Sequence, residues 1–162
     1  MKIAVLGDVH LIAGDDPYKN LHGRREFFKS CWPSFQSLLK KVNDESPDLT
    51  ILLGDLVDWF SSENIAFGLD LLSDLRNLWY MIPGNHDLAA PVGGFEQEEY
   101  KTAAMAATRD HMSYWKTQGV DLSNRVIDVE GCNLVLLDSA LSDLTDGAEG
   151  WLEEVLNCGR PN

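Results

Sequence analysis

Cysteine is scarce: Cys31, Cys132 and Cys158 are odd in number, scattered and outside any C-x-x-C pair, so neither a disulfide framework nor a zinc ribbon is suggested. Basic residues are few as well. Thirteen Lys and Arg stand against 26 Asp and Glu, a formal net charge of -13, which repels nucleic acid and anionic membranes at long range and disfavours a polyanionic partner. No apolar run approaches a membrane span, and the stretch at Ile3–Leu6 is too short for a signal-peptide core. Neither G-x-G-x-x-G nor G-x-x-x-x-G-K-[ST] occurs, which argues against a nucleotide-binding domain of those types. Repeats, low-complexity tracts and interdomain linkers are also missing. What remains is a chain with 44% apolar and 24% charged residues, the balance of an ordinary globular protein. A single domain over residues 1–162 is expected, soluble and in a reducing cytoplasm.

Four continuous apolar runs, at 3–6, 49–53, 78–82 and 134–137, read as strands covered on both faces. Helical spacing fills the intervals. Residues 24–43 carry Phe27, Phe28, Cys31, Phe35, Leu38, Leu39 and Val42, with Pro33 expected to kink or divide the element. Residues 64–76 repeat the pattern with Ile65, Leu69, Leu72 and Leu75. A third helix is predicted over 97–116, with Tyr100, Ala104, Ala107, His111 and Trp115 on one face and Gly119 as its stop. Trp151, Leu152, Val155 and Leu156 mark a short fourth. Between 126–129 and 134–137, Glu130-Gly131-Cys132-Asn133 reads as a tight hairpin. Alternating strands and helices with right-handed crossovers bring the carboxyl ends of the first three strands to one edge, where open α/β sheets bind ligands.

Each of those three strand ends carries a block of potential ligands: Asp8-Val9-His10, then Gly54-Asp55-Leu56-Val57-Asp58, then Gly84-Asn85-His86-Asp87. Carboxylate, imidazole and amide groups delivered from three loops suit a two-metal site. Asp8 and His10 are two residues apart, so on an extended backbone they leave the same face and clasp one cation together. Gly54 and Gly84 permit sharp turns and a close approach.

The blocks resemble the signature of the calcineurin-like metallophosphoesterases: D-x-H, GDxxD and GNH(D/E), followed in that family by a later histidine and a closing G-H-x-H. The first three are here and the last two are not, since the only other histidines are His22 and His111. The resemblance implies an α/β fold, a layered β-sheet sandwich flanked by helices, with the family's C-terminal strands missing from an incomplete domain. It implies two divalent metal ions, manganese, iron or zinc, with Asp8, His10 and Asp55 on the first and Asn85 with a share of Asp55 on the second. So few ligands for the second ion lead to an expectation of single, weak occupancy. Asp58 is expected to hold a ligand by hydrogen bonds. His86 is implied to protonate the departing oxygen, with Asp87 orienting its imidazole, while metal-activated water attacks phosphorus in line.

The implied activity is hydrolysis of small phosphomonoesters or phosphodiesters. A local field reversed by bound cations keeps a single phosphate admissible on so acidic a chain. The competing reading is a noncatalytic metal-binding or scaffold module that needs a partner or a further segment. Uncovered sheet is expected to invite self-association. Elsewhere the plain readings hold: His111 as a hydrogen-bonded core histidine, His22-Gly23-Arg24-Arg25 as a solvated loop, and 96–99 as an acidic helix start.

Overall fold

The computed structural model describes residues 1–18, 21–92 and 105–158. Three of the apolar runs form strands β1 (Ile3–Leu6), β2 (Leu49–Leu52) and β3 (Leu78–Met81). They pair in parallel in the order β1-β2-β3, with Ile3 beside Leu49 and Leu49 beside Leu78.

Because side chains alternate along a strand, one run serves two layers. Leu6, Leu52 and Met81, with Ala4 and Trp79, face the larger core. Leu49 and Ile51, with Ile3 and Tyr80, face a smaller one against Leu136, Ile127, Val129 and Leu134. Those last residues belong to a hairpin, β4 (Arg125–Val129) and β5 (Cys132–Leu136). Its turn is shorter than the sequence suggests. Only Glu130 and Gly131 are outside the strands, at φ 45° and 89°, the paired positive values of the tight turn that matches strand twist. The hairpin leaves part of its face bare, for Val5, Leu53 and Leu78 remain exposed.

Helices cover the other face. The predicted 24–43 element is two helices, α1 (His22–Phe28) and α2 (Cys31–Glu45). The break falls at Lys29–Ser30, and Pro33 lies in the first turn of α2, where its missing N–H has no partner to lose. Phe35, Leu39 and Val42 then recur along one stripe of α2 and are buried. Helix α3 (Ser62–Leu72) starts where the Ser61 hydroxyl accepts the Asn64 N–H at 3.1 Å. It buries Ile65, Leu71 and Leu72.

The third predicted helix is corrected. Residues 97–104 lie outside the described residues, and Met105–Ala107 is a strand paired antiparallel with Ala89–Pro91. A 3-10 turn at Arg109–His111 leads into helix α5 (Met112–Thr117), after the four-residue α4 (Asn85–Leu88). Trp115 is fully buried, and Gly119, φ 86°, follows the end of α5 as expected. A last helix, α6 (Ala148–Leu156), sits on the predicted apolar stretch. No helix among the described residues is long and apolar enough to cross a membrane.

Candidate metal centre

The chain does not separate after β1 and β2. Val9 and His10 donate their N–H groups to the Asp55 carbonyl at 2.8 and 2.9 Å, and the Leu11 N–H reaches the Leu56 carbonyl at 2.9 Å. These bonds carry two ligand-bearing loops side by side off the sheet edge.

The third loop closes on them by contact. A Cβ on Gly54 would sit 2.5 Å from the Gly84 Cα and 2.6 Å from the Pro83 carbonyl carbon, and one on Gly84 would sit 2.5 Å from the Asp55 nitrogen. Only glycine fits at either place, so both residues are there for the approach of one loop to the other.

Convergence has a backbone cost. Asp8, His10 and Asp55 all adopt left-handed geometry, at φ 55°, 54° and 51°, a region that costs a non-glycine residue about 1–2 kcal/mol and is enriched at functional sites. The extended backbone expected for Asp8 and His10 is therefore corrected. Their side chains meet because both residues turn, not because a strand pleat aligns them. Ligand atoms of Asp8, His10 and Asp55 lie within 4.8 Å of one another, and His10 Nε2 is 3.8 Å from Asp55 Oδ2.

Behind His10 stands Asp58, whose side chain is fully buried. His10 Nδ1 is 3.0 Å from Asp58 Oδ1. Since a carboxylate has no proton to give, Nδ1–H is the donor, and the lone pair on Nε2 is left free toward Asp8 and Asp55. The hydrogen bond to Asp58 raises the His10 pKa above its ordinary 6.5, desolvation opposes it, and the charges of Asp58, Asp55 and Asp8 add to the rise.

Two residues missed by the sequence reading complete this corner. The Arg24 Nε donates to Asp58 Oδ2 at 2.5 Å while its terminal nitrogen meets Oδ1. Phe28 stacks on His10 with ring centroids 4.8 Å apart and planes 20° apart. The helix expected from residue 24 starts two residues earlier, so His22 and Gly23 of the segment read as a solvated loop belong to α1, and Arg25 also pairs with buried Asp16. A usable signal was present, since positions 24 and 28 share a helix face at the i, i+4 spacing.

His86 donates its backbone N–H to Asp55 Oδ1 at 3.0 Å. Its ring bonds through Nδ1 to the Asp58 carbonyl at 2.7 Å and stands edge-on to His10, centroids 4.7 Å apart. Nε2 of His86 is thus the free ring nitrogen beside the ligand cluster. Asn85 is exposed as the first residue of α4, between Gly84, which touches Asp55, and His86, which binds it.

Asp87 needs a correction. It does not reach the imidazole of His86. Its Oδ2 accepts the N–H groups of Asp55 at 2.7 Å and Gly84 at 2.8 Å, and its Oδ1 that of Val57 at 3.2 Å. One buried carboxylate ties the second loop to the third. Burial pushes its pKa up to about 7, against the pull of those N–H donors and with the Asp55 charge adding to the rise.

His111 lies off the cluster, stacked on Phe60 at 3.8 Å and hydrogen-bonded through Nδ1 to the Leu88 carbonyl at 2.6 Å. This is the structural role expected of it.

A trio of two carboxylates and one imidazole, with the imidazole held in the correct tautomer, is a donor set for a divalent transition metal. The second acidic and histidine group, His10, Asp58 and His86, is already occupied by its own hydrogen bonds.

Comparison with known proteins gives a family. Residues 1–158 match the family described as calcineurin-like phosphoesterase. A curated relative, a 3′,5′-cyclic-nucleotide phosphodiesterase of Nostoc sp. strain PCC 7120, is 33% identical over 91 residues, which are 55% of this chain and 32% of the relative. A crystal structure of a phosphopantetheinyl hydrolase from Mycobacterium tuberculosis superposes with a TM-score of 0.47 at 18% identity, over 96% of this chain and 51% of that one. The aligned chain thus spans about a third of the curated relative and about half of the solved protein.

Proposed function

The chain belongs to the calcineurin-like phosphoesterase family, and from that premise we propose that it hydrolyses small phosphate esters with the help of a divalent cation held by Asp8, His10 and Asp55. The observation that carries this reading is the meeting of those three side chains within 4.8 Å, with His10 already turned by Asp58. When bound, a divalent cation supplies an acidified water and polarises the phosphoryl oxygens.

The chain's own groups do the rest. Asp8 and Asp55 bring negative charge to the ligand cluster, and His10 brings a neutral nitrogen. His86, anchored through Nδ1, turns Nε2 toward the departing oxygen, and in its doubly protonated form the ring gives the Nε2 proton to that oxygen as general acid. Asn85 adds a neutral oxygen donor at the same edge. Manganese, iron and zinc all suit such mixed oxygen and nitrogen ligands. A phosphodiester is the first choice of substrate, on the strength of the curated relative's activity.

A binding-only module is the second reading. It is favoured by the small ligand set that the family resemblance assigns to a second cation, Asn85 and a share of Asp55. Hydrolysis of bis(4-nitrophenyl) phosphate, 4-nitrophenyl phosphate and 3′,5′-cyclic AMP with added Mn2+ separates the two. Turnover that stops with chelator supports the enzyme, and background rates on all three substrates support the module.

Cation binding should depend on pH with a definite sign. The cation displaces a proton from His10, whose pKa the Asp58 hydrogen bond raises above 6.5. Below that raised pKa, Mn2+ affinity is expected to fall by about tenfold per pH unit, and above it to level off. The metal-free fold runs the other way: protonated His10 contributes stability in full below 6.5, and the contribution fades as pH rises through the folded value. Calorimetric titration with Mn2+ at about pH 6, 7 and 8 checks the first trend. Affinity unchanged across that range contradicts it.

A further inference from the structure

We propose that Arg24 is a positioning residue for the metal centre, acting through Asp58 to hold His10 Nε2 toward Asp8 and Asp55. The proposal rests on the reading that those three residues hold a cation.

The geometry is that of a lock. Asp58 is fully buried, and its two oxygens are engaged by two nitrogens of one planar guanidinium. A carboxylate gripped at both oxygens in this way cannot rotate about its last bond. Oδ1 therefore has one direction, and His10 Nδ1 lies along it at 3.0 Å.

The His10 ring is confined on its faces as well. Phe28 covers one at 4.8 Å, and the ring of His86 stands against it at 4.7 Å. Arg24 and Phe28 come from successive turns of α1, and the guanidinium lies 5.4 Å from the Phe28 ring centroid. One short helix thus supplies both the grip on Asp58 and the wall behind His10. It also explains why the chain places a half-exposed arginine, 40% accessible in its side chain, against a carboxylate with no accessibility at all.

The requirement is for the fork and not only for charge. Lysine carries the same charge as a single point with rotating donors, and it cannot bind both carboxylate oxygens in one plane.

The test compares the unaltered chain with Arg24→Lys, Arg24→Ala and, as a control at the residue that caps the end of the same helix, Lys29→Ala, whose ammonium pairs with Glu26 on the surface. Mn2+ affinity is read by calorimetry, and the His10 tautomer by long-range 1H–15N spectra of the metal-free protein. Lys29→Ala should match the unaltered chain. Arg24→Ala should bind Mn2+ about 10- to 100-fold more weakly, the usual loss when a residue that orients a metal-binding histidine is removed. Arg24→Lys should bind roughly three-fold or more weakly, and His10 should pass from a single Nδ1–H tautomer to a mixture.

If Arg24→Ala does not fold, Arg24→Lys decides, because it keeps a positive charge opposite Asp58. An Arg24→Lys protein with unaltered Mn2+ affinity and one tautomer overturns the proposal. So does a rise in KM with Mn2+ affinity unchanged, which would put Arg24 on the substrate. Absence of Mn2+ binding by the unaltered chain is a different failure, that of the cation reading itself. The metal-free spectra still report on the Arg24–Asp58–His10 link in that case.

Discussion

Asp55→Asn is expected to lower kcat/KM for a phosphate ester by on the order of 10³-fold, about 4 kcal/mol of transition-state stabilisation. The physical reason lies in how the two oxygens are used. Oδ1 accepts the His86 N–H at 3.0 Å, and Oδ2 faces His10 Nε2 at 3.8 Å. An asparagine keeps an oxygen for the first task. It replaces the second oxygen with an amide nitrogen that has no lone pair for a cation, and it removes the negative charge. The loop contact survives and the ligand is lost, so melting temperature should change little while Mn2+-dependent turnover collapses. A variant as active as the unaltered chain would remove Asp55 from the mechanism.

Asp87→Ala should do the reverse, damaging the fold more than the chemistry alone explains. The carboxylate accepts three N–H groups, from Asp55, Gly84 and Val57, and it is fully buried. Removing it strands donors that water reaches poorly, at about 1–3 kcal/mol each. A loss of about 3–9 kcal/mol follows, a large part of the 5–15 kcal/mol that holds a typical domain. Urea denaturation in the presence of chelator isolates this effect from metal binding. A midpoint within error of the unaltered chain would mean that the strut between the second and third loops is not needed.

Much of the architecture was readable because burial on two faces writes itself as an unbroken apolar run. That is why β1, β2 and β3 fall on the predicted segments. The ligand blocks were readable for a related reason: they sit directly after those runs, where a parallel sheet must deliver them to one edge. The failures come from interactions between distant segments. Met105–Ala107 has residues that suit a helix, and it becomes a strand because Ala89–Pro91 offers it a partner. Asp87 is next to His86 in sequence, which suggested a bond between them, but a four-residue helix turns its carboxylate back toward the backbone of the second loop.

Arg24 shows the same limit from the other direction. Within its own segment it is one basic residue beside another, indistinguishable from a solvated pair. Its meaning comes from Asp58, 34 residues away. Left-handed backbone at Asp8, His10 and Asp55 was equally hidden, because nothing in those residue types demands it. It follows from the hydrogen bonds that fasten the first two loops together.

Anomalous X-ray scattering from a crystal grown with Mn2+ puts the cation reading to its plainest trial. The manganese peak should lie among the Asp8 carboxylate, His10 Nε2 and Asp55 Oδ2, and it should vanish in Asp55→Asn. A well-ordered crystal with no peak at that place, or with its peak elsewhere, would contradict the account.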